Sequence, residues 1–145
     1  MKLTTRSRYG TRMLLDIAIH SKEHPVSIKD IATRQDLPVK YLEQIMRTLR
    51  SAGFLTSTRG AHGGYRLAMP ADEIHIGDIA YALEETDYCI DCERKSPCCS
   101  RVAVCLARTI WEDASRAMYR KLNTFTLADL IQDAKLCPKN GAQLF

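Results

Sequence analysis

The sequence predicts a mostly α-helical fold that contains one small β-hairpin. Apolar residues recur at helical spacing through most of the chain, and a glycine-rich stretch at 59–64 separates two short β-prone runs. With 145 residues, of which 46% are hydrophobic, the chain can bury the core of one domain, or of one small domain and an appended helix. No stretch approaches the roughly 18 apolar residues of a membrane span, and no signal peptide is recognisable.

Three helices are predicted before the hairpin. The first covers 6–21, with Met13, Leu14, Ile17 and Ala18 facing inward. Ser27 has the form of an N-cap with Asp30 reaching back to it, which predicts a second, short helix that stops near Pro38. Pro38 suits the first turn of the third helix, which runs through 41–52 and ends at Gly53. Its apolar stripe consists of Leu42, Ile45, Met46 and Leu49.

The hairpin is predicted from the strand-like runs 54–58 and 65–69 and from the three glycines between them. Two helices joined by a tight turn and followed by such a hairpin form a winged helix-turn-helix, whose second helix enters the major groove of DNA. Arg59, at the base of the hairpin, can reach the DNA backbone or the minor groove. The polar residues that lie off the stripe of the third helix are Lys40, Glu43, Gln44, Arg47 and Arg50. The residues predicted to contact DNA are Lys40, Tyr41, Glu43, Gln44, Arg47 and Arg59.

The charge distribution also favours a polyanionic partner. Residues 1–70 contain 12 basic and 5 acidic residues, whereas residues 71–145 contain 9 basic and 12 acidic ones. A basic half joined to an acidic half is typical of a nucleic-acid-binding module attached to a second unit. The competing interpretation is an ordinary solvated surface.

The second half is predicted to contain a short helix at 76–83, a long one at 102–122, and a last one that starts at a capping box, Thr126 with Asp129, and runs to about 134. The long helix carries a broad apolar stripe that includes Ile110, Trp111, Ala114 and Met118. A symmetric partner helix is expected to cover that stripe, and packing on its own domain is the alternative. The predicted organisation is a DNA-binding domain at 1–84, a cysteine-rich loop at 85–102, helices at 103–134, and a tail at 135–145.

Five of the six cysteines lie close together, at Cys89, Cys92, Cys98, Cys99 and Cys105. Four thiolates in one segment can saturate a zinc ion or an iron–sulfur cluster, and a dithiol switch is a further possibility. Because Cys98 and Cys99 are adjacent, their side chains point in different directions, so one of them is expected to join a shared site. Clustered thiols in a reducing cytoplasm bind metal or sense redox state more often than they form disulfides.

Two motifs, YLEQ at 41–44 and RGxxGGY at 59–65, together with the segment CLARTIWEDASRAMYRKLNTFTLADL, resemble the Rrf-two-type family of winged-helix transcriptional regulators. The similarity extends over 1–133, and within the family it is to the IscR-like and NsrR-like members with a cysteine-rich cluster loop. The resemblance implies base reading by Glu43 and Gln44 with Lys40 and Tyr41 beside them, and entry of Arg59 into the minor groove.

The resemblance also implies an iron–sulfur cluster, 2Fe-2S or 4Fe-4S, held by Cys92, Cys99 and Cys105, and dimerisation through Ile110, Trp111, Ala114 and Met118. The fourth ligand departs from the family pattern. IscR-like members have a histidine three residues after the last cysteine, where this chain has Arg108, which does not ligate metals. NsrR-like members can use an acid near the N-terminus, where this chain has the run Arg6-Ser7-Arg8-Tyr9. Cys89 is the expected replacement, with a small thiol or solvent as the other option.

Together these features predict a cytoplasmic, homodimeric repressor that binds a pseudo-palindromic double-stranded DNA operator under the control of a cluster that senses iron, redox state or nitric oxide. A zinc site or a thiol switch in place of the cluster is the first alternative. An adaptor that uses a winged helix to bind proteins is the second. An enzyme is not expected, because no nucleophile–base pair or phosphate-binding loop is recognisable.

Overall fold

The computed structural model describes residues 3–60, 62–84 and 104–136. This part of the chain contains six helices and one antiparallel hairpin, which confirms the predicted fold class. In chain order these are α1 (Thr5–His20), α2 (Ile28–Gln35), α3 (Val39–Ser51), β1 (Leu55–Thr58), β2 (Gly64–Leu67), α4 (Ile76–Leu83), α5 (Leu106–Leu122) and α6 (Leu127–Leu136). Within the described ranges, every helix is too short or too polar to cross a lipid bilayer.

The ends of α2 and α3 match the predicted caps, with two differences. Ser27 is the N-cap of α2, and its hydroxyl accepts from the Asp30 N–H at 3.2 Å. The Asp30 carboxylate accepts from that same hydroxyl at 2.8 Å, instead of from the Ser27 backbone N–H as in a full capping box. Pro38 is the N-cap of α3 and not part of its first turn, because its ψ of 132° is extended. Gly53 follows the helix with φ of 84°, as expected for a C-terminal glycine.

The last two helices also differ slightly from prediction. The long helix α5 begins at Leu106 and not at 102, because Cys105 has an extended ψ of 100° and serves as the N-cap. Helix α6 starts with the predicted capping box, in which the Thr126 N–H donates to Asp129 Oδ2 at 2.8 Å and the Asp129 N–H donates to Thr126 Oγ1 at 3.2 Å. The bonds from the Thr126 backbone and hydroxyl lower the pKa of Asp129. Helix α6 continues to Leu136, two residues past its predicted end.

A single apolar core joins the helices and the hairpin. The stripe predicted on α3 is at most 1% exposed at every position. It meets buried residues of α1, α2, α4, the hairpin and α6, among them Met13, Leu14, Ile17, Ile31, Leu55, Ile79, Leu83 and Leu127. Helices α1 and α4 approach so closely at Gly10 that a Cβ there would lie 2.1 Å from Leu83 Cδ1. Helix α4 therefore belongs to the same rigid unit as the helix-turn-helix.

The hairpin is attached to the loop between α1 and α2. Val26 and Tyr65 exchange backbone hydrogen bonds of 3.0 and 2.8 Å, which adds a short bridge beside β2. The Arg66 guanidinium donates to the Ser21 carbonyl at 3.0 Å and to the Glu23 carbonyl at 2.6 Å. These bonds fix the base of the hairpin relative to α1.

A buried polar network connects α1 with α2. The Asp16 carboxylate, on a residue 2% exposed, accepts from Arg34 Nε at 2.8 Å and from Arg34 Nη2 at 2.7 Å. Gln35 donates to the same carboxylate at 3.4 Å and accepts from Arg12 Nε at 3.0 Å. The hydrogen bond to Asp16 raises the pKa of Arg34. The bidentate geometry sets the rotation of α2 about its own axis as well as its distance from α1.

Replacing Asp16 by alanine is expected to lower the free energy of unfolding by about 3 kcal/mol, because the donors of Arg34 and Gln35 lose their buried acceptor. Urea denaturation followed by circular dichroism measures this change. The exposed carboxylate of Asp133 on α6 provides the matched control, and Asp133→Ala is expected to change stability by less than about 0.5 kcal/mol. Equal stabilities of the two variants would contradict a structural role for the Asp16 network.

Candidate nucleic-acid interface

Helix α3 presents a polar face opposite its buried stripe. Lys40, Glu43, Gln44 and Arg47 are all exposed. Their spacings of three and four residues place them on adjacent turns of one helix surface. The structure therefore brings together four of the six residues predicted to contact DNA. Amide, carboxylate and cationic groups in this arrangement can pair with the edges of bases or with phosphates.

Tyr41, the fifth predicted residue, is half-buried between α3 and α1. Its ring meets the Tyr9 ring edge-on, with 5.9 Å between centroids, and its hydroxyl lies 3.4 Å from the Thr5 hydroxyl. The Arg12 guanidinium lies over the other ring of the pair, 5.5 Å from the Tyr9 centroid. Tyr41 thus holds the start of α3 against α1 while its hydroxyl lies at the first turn of α1.

Arg59, the sixth predicted residue, is exposed just after β1. The loop that follows is tight: Gly60 has φ of 115°, and the Gly63 N–H donates to the Gly60 carbonyl at 2.9 Å. A Cβ on Gly63 would lie 2.4 Å from the Thr58 carbonyl oxygen, so the turn requires glycine there. These constraints hold the loop close to the end of β1, next to Arg59.

A side-chain bond joins the two parts of this surface. Arg50, near the C-terminal end of α3, donates from Nη1 to the Ser57 hydroxyl of β1 at 3.4 Å. Five basic residues, Lys40, Arg47, Arg50, Arg59 and Arg66, and one acidic residue, Glu43, thus occupy α3 and the adjoining hairpin. The surface is net positive, as binding to a phosphate backbone requires.

An open cleft lies beside the first turn of α3. It has a volume of about 640 Å³ and is lined by Lys29, Ala32, Thr33, Asp36, Leu37, Pro38 and Val39. Val39 is 37% exposed. Val39 was not among the predicted DNA contacts, because that prediction rested on polar residues and on the family motifs. The available signal was an apolar residue directly after Pro38 at a helix start.

The predicted metal ligands lie mostly outside the described residues: Cys89, Cys92, Cys98 and Cys99 are not among them. Cys105 is described, and it is an exposed free thiol at the N-terminus of α5. One turn later, Arg108 forms an ion pair with Glu112, and this pair occupies the position at which a histidine was expected from the family pattern. Over 3–60, 62–84 and 104–136, no three His, Cys, Asp or Glu residues are grouped as a metal site.

Glu84, the last described residue before the cysteine-rich segment, is anchored on the first turn of α1. One of its carboxylate oxygens accepts from the Thr4 N–H and the Thr4 hydroxyl, each at 2.9 Å, and from the Ser7 hydroxyl. This contact was not predicted from the sequence, since partners separated by 77 to 80 positions leave no local pattern. The anchor holds the C-terminal end of α4 against the first turn of α1.

Two of the four predicted dimerisation residues are exposed on α5, where Ile110 and Trp111 form an apolar row with Leu106. Ile110 is 68% exposed and Trp111 is 53% exposed, and Leu106 at the start of the helix is 86% exposed. Ala114 and Met118 are partly buried, and Ser115 is the fully buried residue of the helix. Helix α5 packs on α4 through edge-on contact of Tyr119 with Tyr81 and through a 3.0 Å hydrogen bond from Asn123 to Asp78. Within the part of the chain that the structure describes, Leu106, Ile110 and Trp111 are left uncovered.

Comparisons with known proteins agree on the family. The family model described as "Rrf2: Iron-dependent Transcriptional regulator" matches residues 3–133. The protein rrf2 of Nitratidesulfovibrio vulgaris is 66% identical over 144 residues, which cover 99% of this chain and 96% of that protein. The HTH-type transcriptional regulator IscR of Vibrio cholerae is 40% identical over 143 residues, which cover 99% of this chain and 82% of that protein.

Solved structures show the same architecture. T. potens IscR superposes with a TM-score of 0.73 at 36% identity, covering 97% of this chain and 94% of that one. CymR, the global cysteine regulator of B. subtilis, superposes with a TM-score of 0.71 at 33% identity, covering 91% of this chain and 97% of that one. The winged helix-turn-helix, the long α5 and the matched motifs have one common explanation: the chain belongs to the Rrf2 family of transcriptional regulators.

Proposed function

We propose that this protein is a cytoplasmic, homodimeric DNA-binding repressor whose operator affinity is controlled by an iron–sulfur cluster. The observation that carries the proposal is the exposed polar face of α3, held beside a fixed, arginine-bearing hairpin. A regulator of this family needs a DNA-reading surface, and this one has the required charge and shape.

Each exposed residue on that surface has a chemical counterpart in DNA. Gln44 suits adenine, whose major-groove edge offers one donor and one acceptor, and Glu43 suits the amino group of cytosine. Lys40 and Arg47 suit guanine or phosphates. Arg59 suits the narrow, electronegative minor groove. The base-reading residues lie on a helix and Arg59 lies on a hairpin. The winged helix-turn-helix of one protomer, which we call its headpiece, would therefore contact two grooves of the same half-site.

Gln44→Ala is expected to weaken operator binding about tenfold or more, in line with the roughly 1–3 kcal/mol attributed to a bidentate base contact. Arg59→Ala is expected to weaken binding and to reduce the slope of log affinity against log salt by about 1. Fluorescence anisotropy on an operator selected from random DNA measures both. Gln132→Ala, an exposed glutamine on α6, is the matched control and is expected to bind like wild type. Unchanged affinity in Gln44→Ala and Arg59→Ala would favour the protein-binding adaptor instead.

The apolar row on α5 supports the homodimer. Large apolar side chains that stay in water lose the free energy that burial provides, and a contiguous row of them marks an interaction surface. A second copy of the same helix is self-complementary to such a row under two-fold symmetry. Two headpieces related in this way match the two half-sites of a pseudo-palindrome.

Ile110→Glu is expected to convert the dimer to a monomer at micromolar concentration, because dimer formation would bury one charge from each copy in an apolar interface. Sedimentation equilibrium measures the change. Ala68→Glu, which adds the same charge at an exposed site next to β2, is expected to remain dimeric. A wild-type chain that sediments as a monomer would contradict the homodimer.

The cluster is proposed to be held by Cys92, Cys99 and Cys105, with Cys89 as the fourth ligand in place of the histidine that Arg108 replaces. The exposed thiol of Cys105 fits a ligand role, since neither a disulfide nor burial blocks it. A bound cluster supplies redox-active iron that responds to iron supply, oxidants or nitric oxide. Glu84 on the headpiece and Cys105 on α5 stand at the two ends of the segment that carries the other ligands. Holding Cys92 and Cys99 together with Cys105 would restrict how that segment connects the headpiece to α5.

Zinc or a bare thiol switch is the second candidate for the same cysteines. One observation favours the thiol switch: a structural neighbour with a TM-score of 0.69 and 34% identity is CymR of Staphylococcus aureus in an oxidized form. This candidate keeps the DNA-binding dimer and changes only what the cysteines do.

Anaerobic purification is expected to give coloured protein that contains iron and acid-labile sulfide. Cys92→Ala and Cys105→Ala are each expected to abolish both, and Cys89→Ala to yield a cluster that is lost much faster in air. Cys137→Ala, the cysteine outside the group of five, is the matched control and is expected to match wild type. Colourless protein without iron after reconstitution would contradict the cluster, and stoichiometric zinc in that protein would favour the second candidate.

A further inference from the structure

We infer that Val39 reads the C5-methyl group of a thymine in the operator, and thereby adds an apolar specificity contact to the polar ones on α3. The inference rests on the proposed DNA-binding function and deepens it. It concerns a residue outside both the YLEQ motif and the set of predicted DNA contacts.

The position of Val39 singles it out. Isolated apolar side chains are common on protein surfaces, so exposure of 37% is not an argument by itself. Val39 is, however, the first residue of α3, and the N-terminal residues of a recognition helix are those that reach base edges. It lies one turn before Glu43 and directly before Lys40, so it borders the polar face that the proposed function assigns to DNA.

The surroundings of Val39 indicate the direction from which DNA arrives. Val39 lines the open cleft of about 640 Å³ together with Lys29 and Thr33 of α2. In helix-turn-helix complexes the first helix of the pair crosses the sugar–phosphate backbone while the second enters the groove. Lys29 is exposed and suits a phosphate on the near strand, which would place Val39 between that phosphate contact and the bases. The first turn of α3 contains no acidic residue, and Asp36 is the one acidic residue among the described residues that line the cleft.

The chemistry of Val39 restricts what it can recognise. Its side chain has no donor or acceptor, and the apolar group that the four standard bases present in the major groove is the thymine methyl. A β-branched side chain in a helix has one strongly preferred rotamer, so Val39 loses little conformational entropy when a base packs against it. A longer flexible apolar residue would lose more. Val39 is therefore suited to discriminate thymine from cytosine at one position of each half-site.

Thymine-to-deoxyuridine substitution tests this directly, because it removes the methyl group and leaves the base pair intact. An operator is first selected from random DNA with the wild-type protein, and each thymine is then replaced in turn. At one thymine per half-site, wild type is expected to lose about fourfold in affinity, the equivalent of burying one methylene-sized group. Val39→Ala is expected to bind the unmodified operator correspondingly less tightly and to show no further loss at that position.

The outcomes separate the two levels of the proposal. If wild type selects no sequence, the proposed DNA-reading function fails, whatever Val39 does. If an operator is selected but every loss caused by deoxyuridine is the same in wild type and Val39→Ala, the role of Val39 is overturned while DNA binding stands. The deoxyuridine scan on wild type needs no altered protein: a scan with no sensitive thymine also overturns the inference. Thermal unfolding of Val39→Ala confirms that the comparison is made between folded proteins.

Discussion

The buried carboxylate of Asp16 is the constraint on which the DNA-facing half of this protein depends. Helix α2 has eight residues, too few to be stable alone, so its orientation has to come from tertiary contacts. Ile31 of α2 is buried in the core, but an apolar contact still allows the helix to rotate about its axis. The two parallel hydrogen bonds from Arg34 to Asp16 do not allow that rotation. Because α3 follows α2 after a short turn, an error in the orientation of α2 would be transmitted to the recognition helix.

Helix α1 connects this constraint to the rest of the molecule. Its middle carries Asp16 and Arg12, its second turn carries Tyr9 against Tyr41 of α3, and its first turn receives Glu84. The same helix therefore contacts both α3 and Glu84 at the end of α4. If the proposed cluster acts on α3, α1 offers a short physical route, since it contacts Glu84 through Ser7 and Tyr41 through Tyr9.

The parts of the fold set by local periodicity and capping were predictable. The stripe from Leu42 to Leu49, the cap at Ser27 and the turn at Gly53 depend on residues within a few positions of one another, and the structure confirms them. The exposure of Lys40, Glu43, Gln44 and Arg47 followed from the same periodicity. The Glu84 anchor was not predictable, because its partners are distant in sequence. The partial burial of Tyr41 was not predictable either, because it depends on Tyr9, which is 32 positions away. Helix α5 starts at Leu106 instead of 102 because the backbone at Cys105 is extended, and helix propensity does not indicate such a backbone conformation.

Basic charge and exposed apolar surface lie in different halves of the chain. The basic half, residues 1–70, contains α3 and the hairpin, whereas the exposed Ile110 and Trp111 lie on α5 in the other half. Helix α4 packs against both α3 and α5, and so stands between them. The excess of basic residues in 1–70 would favour approach of DNA to that half by long-range attraction to phosphates. In the proposed complex the apolar row on α5 would remain available to a second copy while DNA is bound. The proposed dimer through α5 would therefore not compete with DNA for the same surface, and occupancy of one half-site would raise the effective concentration of the second headpiece at the other.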